Sequence, residues 1–277
     1  MDAGLIENDL RKDKVFHDRL FSRFTKAIVK YELLSPGDKI AVCISGGKDS
    51  MLMGKLFQEL KRHDKFPFEL VFLVMDPGYD EAVRQKLESN AELIGLPIEI
   101  FENRLFEAVS ENEKSPCFLC ARMRRGALYA KAKELGCNKI ALGHHLNDVI
   151  ETTLMSMFYS SKLETIIPKS RSENFPGMEL IRPMYCIKEE NVTSWCRYNH
   201  LEFIQCACRF TEQSYGEDPH VSSKRKETKD LIAMLKKTNP EIEGNIFRAL
   251  HAVQLESFPG YKADGRLLSF QEIYEKR

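Results

Sequence analysis

The feature that most narrows the fold is an apolar run, Lys39-Ile40-Ala41-Val42-Cys43-Ile44, that ends in Ser45-Gly46-Gly47-Lys48-Asp49-Ser50. Apolar residues at helical spacing follow it, over residues 50–60. A short apolar run without alternation reads as a strand buried on both faces, the mark of a parallel sheet. A strand, two glycines and a helix start in succession aim free backbone N–H groups and the positive end of a helix dipole at one spot. That spot suits phosphate. Ser45 and Ser50 add hydroxyls, Lys48 a positive charge, and Asp49 a carboxylate suited to Mg²⁺. A ligand-free tight turn is the simpler alternative, but such a turn needs none of these groups.

The same rhythm continues along the chain. Residues 69–75, 98–101 and 139–142 read as further strands, and residues 81–94, 121–135 and 149–158 as the helices between and after them. Strands alternating with helices imply a parallel sheet covered on both faces, with ligands at the carboxyl ends of the strands. Before it, Val15, Leu20, Phe21, Phe24, Ile28 and Val29 recur near helical spacing until Ser35-Pro36-Gly37-Asp38 breaks the pattern. After residue 159 the rhythm loosens through Pro168, Pro176 and Pro183. Residues 189–198 then read as a helix, 202–204 as a last strand, and 224–235 and 243–255 as C-terminal helices.

With 277 residues and 43% hydrophobic content the chain can bury a large core, which excludes disorder as its main state. Lys and Arg number 41, as do Asp and Glu, so nucleic-acid or lipid binding has to rest on local patches. There is no run of eighteen apolar residues, and the first fourteen are rich in charge, so the expectation is a cytoplasmic protein with no membrane. Eight cysteines without a secretion signal make disulfides a poor explanation and bring metal or sulfur chemistry forward.

Cys117 and Cys120 form a C-x-x-C before the helix predicted at 121–135, whose first turns carry Arg122, Arg124 and Arg125. Helix dipole and guanidinium groups favour thiolates there, and zinc, redox pairing and iron–sulfur ligation all stay open. Cys206 and Cys208 form a second pair in the loop after the predicted last strand, so a structural Cys₄ zinc site is an alternative. Cys43, Cys137, Cys186 and Cys196 read as small buried hydrophobes. A second strand-end loop, Gly143-His144-His145-Leu146-Asn147-Asp148, offers histidines and an acid for substrate or metal-phosphate contacts, although Asp148 alone could be a helix cap.

The glycine loop is not a Walker A motif, because Val42 stands where that pattern needs glycine and Asp49 follows Gly47-Lys48. It resembles the PP-loop of ATP pyrophosphatases, which adenylate a carbonyl or carboxyl oxygen and release pyrophosphate. Taken in order, residues 45–50, the run from Pro116 to Gly126, the run from Ala141 to Asp148, and Ile181-Arg182-Pro183-Met184 resemble the TtcA-type tRNA thiolation enzymes of the TtcA/TtuA family, over roughly residues 20–210. The resemblance implies an α/β, Rossmann-like (adenine nucleotide alpha-hydrolase-like) parallel sheet with helices on both faces. It also implies 2-thiolation of cytidine in the tRNA anticodon loop, using ATP, Mg²⁺ and a [4Fe-4S] cluster held by three cysteines. An N-terminal helical segment (1–36), a PP-loop ATP-binding domain (37–210) and a helical C-terminal appendage (211–277) are expected.

Carried over residue by residue, Cys117 and Cys120 are two cluster ligands. The third is Cys208, with Cys206 the alternative, since Cys206-Ala207-Cys208-Arg209 departs by one residue from the family spacing. Lys48 stabilises phosphate charge, Asp49 holds Mg²⁺, Asp148 is a second acid for catalysis, and Asp76, Gly143 and His144 join Ser45 to Ser50 around the nucleotide. The partners implied are tRNA and a sulfur donor such as a cysteine desulfurase or free sulfide, and a homodimer is compatible. Basic groups at Arg122, Arg124, Arg125, Lys131, Lys133, Lys162, Lys169 and Arg171, and at Lys224, Arg225, Lys226, Lys229, Lys236 and Lys237, supply candidate RNA contacts, though such runs are commonly solvated helix faces. The competing readings are a PP-loop ligase or amidotransferase on a small substrate with structural zinc, a cluster-dependent desulfidase, and a nucleotide or iron–sulfur sensor.

Overall fold

The computed structural model describes residues 14–103, 116–203 and 224–275, and for residues 116–122 the backbone alone. Helical structure begins with α1 (Lys14–Phe16), passes through a π turn (His17–Phe21) and continues as α2 (Ser22–Lys30). It buries Leu20, Phe24 and Ala27 completely, while Val29, which belonged to the predicted apolar set, is 77% exposed. At about 100° per residue Val29 lies about 140° around the helix from buried Phe24, on the opposite side.

β1 (Lys39–Ile44), β2 (Glu69–Asp76), β3 (Ile98–Glu102), β4 (Lys139–Ala141), β5 (Lys169–Arg171) and β6 (Glu179–Ile181) form a sheet in the order β3-β2-β1-β4-β6-β5. All neighbours are parallel except the edge pair β5 and β6. Alternate residues of β1 serve two cores: Ile40, Val42 and Ile44 pack with Phe24, Leu52 and Trp195, whereas Ala41 and Cys43 pack on the other face with Tyr129 and Ala132. An all-apolar strand is what a sheet covered on both faces requires.

Helix α3 (Lys48–Arg62) starts earlier than its apolar spacing suggests, with Gly47 at its N-cap. α4 (Glu81–Ile94) follows β2 and ends on left-handed Gly95. α5 (Pro116–Glu134) also starts early. Proline is pre-set for the first helical position, so Cys117 and Cys120 lie in the opening turns of this helix rather than before it. α6 (Leu146–Ser160) begins at Leu146 because His145 and Asp148 cap each other: the Asp148 carboxylate accepts the His145 backbone N–H at 3.0 Å, and His145 Nδ1 accepts that of Asp148 at 3.3 Å.

α7 (Glu189–Tyr198) has the predicted bounds; of the strand predicted at 202–204, residues 202 and 203 carry no regular structure, and Ile204 lies outside the described residues. The sheet is completed instead by β5 and β6, three residues each, inside the proline-rich stretch where periodicity has too little length to show. Beyond it, α8 (Lys224–Thr238) and α9 (Ile242–Ala249) dock on α6 through Ile232, Ile246, Phe247, Leu146 and Ile150. The tail also holds a hairpin, β7 (Gly260–Ala263) and β8 (Arg266–Ser269), before a short α10 (Phe270–Tyr274). Its turn is Asp264-Gly265, both at positive φ, a hairpin signal present in the sequence. Among the described residues no helix is long and apolar enough to cross a membrane.

Candidate active site

The sheet changes direction at β1: β2 and β3 extend to one side of it, β4 and β6 to the other. Crossovers leaving on opposite faces open a crevice at the carboxyl ends of β1 and β4, where open α/β sheets bind ligands. A cavity of about 320 Å³ lies there, lined by Cys43, Ile44, Ser45, Asp49, Ser50, Met75, Arg124, Leu128, Leu142, Gly143, His144 and Asp148. The two strand-end loops singled out by sequence therefore share one pocket.

The glycine turn is built for close approach. Gly46 has φ +80°, which L side chains rarely adopt, and the Ser50 hydroxyl accepts from the Ser45 N–H at 3.0 Å while donating to the Gly47 carbonyl at 2.9 Å. The β4 loop presses against it: a Cβ on Gly143 would sit 3.2 Å from backbone atoms of Asp49 and Ser50. Side-chain-free backbone is what lets the two loops meet.

Around that contact runs a chain of ion pairs. Lys48 Nζ lies 3.0 Å from Asp49 and 3.1 Å from Glu189, the first residue of α7. Burial opposes the lysine charge, but the two carboxylates outweigh it and hold its pKa above the ordinary value. Burial also pushes the Glu189 carboxyl up, and Lys48 and Lys229 more than reverse that, bringing it to about 2. His145, buried, spans the two acids of the cavity: Nε2 is 3.7 Å from Asp49 and Nδ1 3.3 Å from Asp148. From the C-terminal part, Arg225 reaches Asp148 at 2.6 Å and buried Glu151 at 2.9 Å, and Lys229 reaches Glu189 at 3.2 Å.

The opposite flank differs. His144 lines the cavity with its Nδ1 buried and without a hydrogen-bond partner. Burial, then the charge of Arg182, lower its pKa to about 4, so the ring is neutral at pH 7. Arg182, directly after β6, is 9% exposed; its Nη1 donates to the Ile167 carbonyl, and its Nε has no partner. Arg124 lines the cavity and donates to the Tyr79 hydroxyl at 3.3 Å.

The predicted residues are thus distributed unevenly. Ser45, Asp49, Ser50, Gly143, His144 and Asp148 line one cavity, and Lys48 stands beside it in ion pairs. Asp76 ends β2 next to Met75, but its carboxylate accepts the Gly78 and Tyr79 N–H groups at 2.9 and 2.7 Å. Cys117 and Cys120 are placed by backbone alone, and Cys206 and Cys208 lie outside the described residues. Among the described residues no three His, Cys, Asp or Glu side chains converge as a metal cage. Cys43, Cys137 and Cys196 are buried and Cys186 is half-buried, and burial raises all four thiols, Cys43 to about 12. Sequence reasoning did not place Glu189, Arg225 or Lys229 at this site: Arg225 and Lys229 sit in a basic run read as candidate RNA contacts or a solvated face, and here pair with carboxylates instead, while Glu189 reads as an ordinary helix start.

Comparison with known proteins places this geometry in context. The PP-loop domain family matches residues 17–211. The tRNA-cytidine(32) 2-sulfurtransferase of Chromohalobacter salexigens is 32% identical over 276 residues, covering 96% of this chain and 92% of that protein. The protein of that name from Syntrophotalea carbinolica is 33% identical, covering 92% and 97%, and that from Neisseria meningitidis serogroup C is 36% identical, covering 88% and 73%. The solved U34-tRNA thiolase NcsA from Methanococcus maripaludis, with its [4Fe-4S] cluster, superposes with a TM-score of 0.67 at 22% identity, over 88% of this chain and 82% of that one, which shows a shared fold.

Proposed function

This chain belongs to the PP-loop family and, within it, to the tRNA-cytidine(32) 2-sulfurtransferases, and from that premise we propose that it transfers sulfur to C2 of a cytidine in the tRNA anticodon loop at the expense of ATP. The observation that carries the reading is the convergence of the PP-loop turn and the β4 loop on one cavity at the switch point of the sheet. The N–H groups of the turn, Ser45, Ser50 and Lys48 receive the triphosphate. The base oxygen attacks the α-phosphorus, a P–O bond forms, and pyrophosphate leaves. Hydrosulfide then attacks C2, the C2–O bond breaks to expel AMP, and loss of a proton leaves the thiocarbonyl. With sulfur supplied as sulfide the sequence is redox-neutral. The free-sulfide source fits this balance without a further reductant.

Asp49 and Asp148 are the acids assigned to Mg²⁺ and to catalysis, held by His145 between them. Two carboxylates completed by phosphate oxygens are a normal magnesium arrangement. With Mg²⁺ held at Asp49, Lys48 would be left to Glu189 and to the phosphates. His144, neutral at pH 7, serves as a hydrogen-bonding group toward the base.

Cys117, Cys120 and Cys208, with Cys206 the alternative, are assigned to the cluster. Cys117 and Cys120 are three residues apart in the opening turns of α5, at its positive end. Thiolates at that place are the donor set an iron–sulfur cluster takes. When bound, such a cluster supplies an iron free of protein ligands at which sulfur can be held. Anaerobic purification with iron, acid-labile sulfide and zinc assays tests the assignment. About four irons and four sulfides per chain, lost in Cys117→Ala and in one of Cys206→Ala or Cys208→Ala, is the expected result. Stoichiometric zinc without iron would overturn it in favour of a small-substrate ligase.

A further inference from the structure

Cations near the cavity fall into two sets. On the PP-loop side every one is matched: Lys48 by Asp49 and Glu189, Arg225 by Asp148 and Glu151, Lys229 by Glu189 and Glu151. On the α5 and β6 side, Arg124, Arg125 and Arg182 form no ion pair with a carboxylate among the described residues. A guanidinium as buried as Arg182 normally has an anionic partner, because leaving such a charge unpaired away from water is costly. Arg182 has a backbone carbonyl, an empty-handed Nε and, close by, two like-charged or unsatisfied groups: Arg125, whose charge adds to burial in bringing the Arg182 pKa down to about 10, and His144 with its orphaned Nδ1. Buried polar atoms without partners are rare in folded proteins, and two of them, His144 Nδ1 and Arg182 Nε, in side chains near enough for the Arg182 charge to act on the His144 ring, call for a ligand.

We propose that Arg182 and Arg125 form a phosphate subsite beside the nucleotide cavity, occupied by a backbone phosphate of the RNA substrate next to the target base. The assignment rests on the functional reading above. A planar guanidinium is the side chain best shaped for two phosphate oxygens. Phosphate could come from ATP or from RNA, and position favours RNA. Arg182 follows β6, which is two strands from β1, a separation on the order of 10 Å from the PP-loop turn. Arg125 is exposed, on the side from which a polymer can approach. The His144 ring, on the β4 loop and lining the cavity, then lies where a base flanking that phosphate enters.

The test measures binding of an unmodified tRNA transcript over a range of salt concentrations, and of a non-hydrolysable ATP analogue, by the full chain and its variants. Arg125→Gln and Arg182→Gln are expected to weaken tRNA binding by about ten- to a hundredfold and to reduce the salt slope by about one each. Binding of the ATP analogue stays within about twofold of wild type. Arg182→Lys keeps the charge without the fork and is expected to lose about tenfold; with the exposed Arg125→Gln it decides the matter if Arg182→Gln does not fold. Weakened ATP-analogue binding with unchanged tRNA binding would hand the subsite to the nucleotide and overturn the assignment. Unchanged binding of both by folded Arg125→Gln and Arg182→Lys would remove the subsite altogether. A wild-type chain that does not bind tRNA would refute the functional reading itself, a result distinct from either.

Discussion

Two buried polar clusters, one at each end of the sheet, are treated in opposite ways. At the amino end, Lys139 is 2% exposed and lies 2.7 Å from Glu179 and 3.3 Å from Asp38, while Asn138 donates to Asp38 at 2.8 Å and accepts the Lys39 N–H at 2.9 Å. The buried groups of this cluster are answered from within the chain. At the carboxyl end, His144 Nδ1 and Arg182 Nε are buried and unanswered. Evolution of a stable core satisfies what it hides, so the difference marks one end as architecture and the other as a place for something from outside.

Breaking the amino end tests the first half of that comparison. Lys139→Met removes the cation shared by two carboxylates, leaving Glu179 its Lys169 at 3.1 Å and Asp38 its Asn138 and Ser35 donors. The expected cost is about 1–3 kcal/mol, a drop in Tm on the order of 5 °C. Turnover per folded molecule stays the same, as calorimetry beside an activity assay would show. Lys48→Ala, at the carboxyl end, is expected to do the reverse: kcat falls by about 10²–10³, with a far smaller change in Tm. Should both variants lose stability and activity in proportion, the two ends are not different in kind.

A smaller probe is Gly143→Ala. Its Cβ would meet backbone atoms of Asp49 and Ser50 at 3.2 Å, which cannot swing aside as a side chain can. The expected result is a KM for ATP raised about tenfold, at the lower end of what overpacking costs, read from pyrophosphate release. Smaller again is the pH dependence of the Glu189 pairing. Its carboxyl lies at about 2 in the folded chain against an ordinary 4.5, so its contribution to stability is complete above 4.5 and is lost as pH falls toward 2. Melting curves of Glu189→Gln across that window should be flatter than wild type. Least of all, Arg266→Ala in the exposed tail breaks a solvent-screened surface pair with Glu272 and should leave Tm unchanged within error, as a melting curve would show.

Much of the carboxyl end was legible in the sequence because it is made of local signals. An apolar strand, a glycine turn and a helix start are contiguous, and so are the strand and loop around Gly143 to Asp148. The helix starts were read late: α3, α5 and α6 open with Lys48, Pro116 and Leu146, where caps and proline rather than apolar spacing decide the boundary. What stayed hidden depends on contacts far apart in sequence. Arg225 and Glu151 are 74 positions apart, and Lys48 and Glu189 are 141. Neither pairing leaves a mark on periodicity or spacing. Nor does the missing partner of Arg182, since an absence of charge around a buried side chain is a property of the packed structure alone. β5 and β6 escaped notice because three residues carry no period.

The most direct measurement of the central claim is a thiolation assay on the full chain, prepared anaerobically and supplied with ATP, Mg²⁺, sulfide and an unmodified tRNA bearing cytidine in its anticodon loop. Nucleosides are analysed by mass spectrometry while AMP and pyrophosphate are quantified. The account predicts 2-thiocytidine, with AMP and pyrophosphate in amounts equal to it, and none of the three when ATP is withheld or Lys48 is replaced by alanine. Thiolation without ATP, or ATP consumed to AMP with a small carboxylate and no thiolated nucleoside, would contradict it.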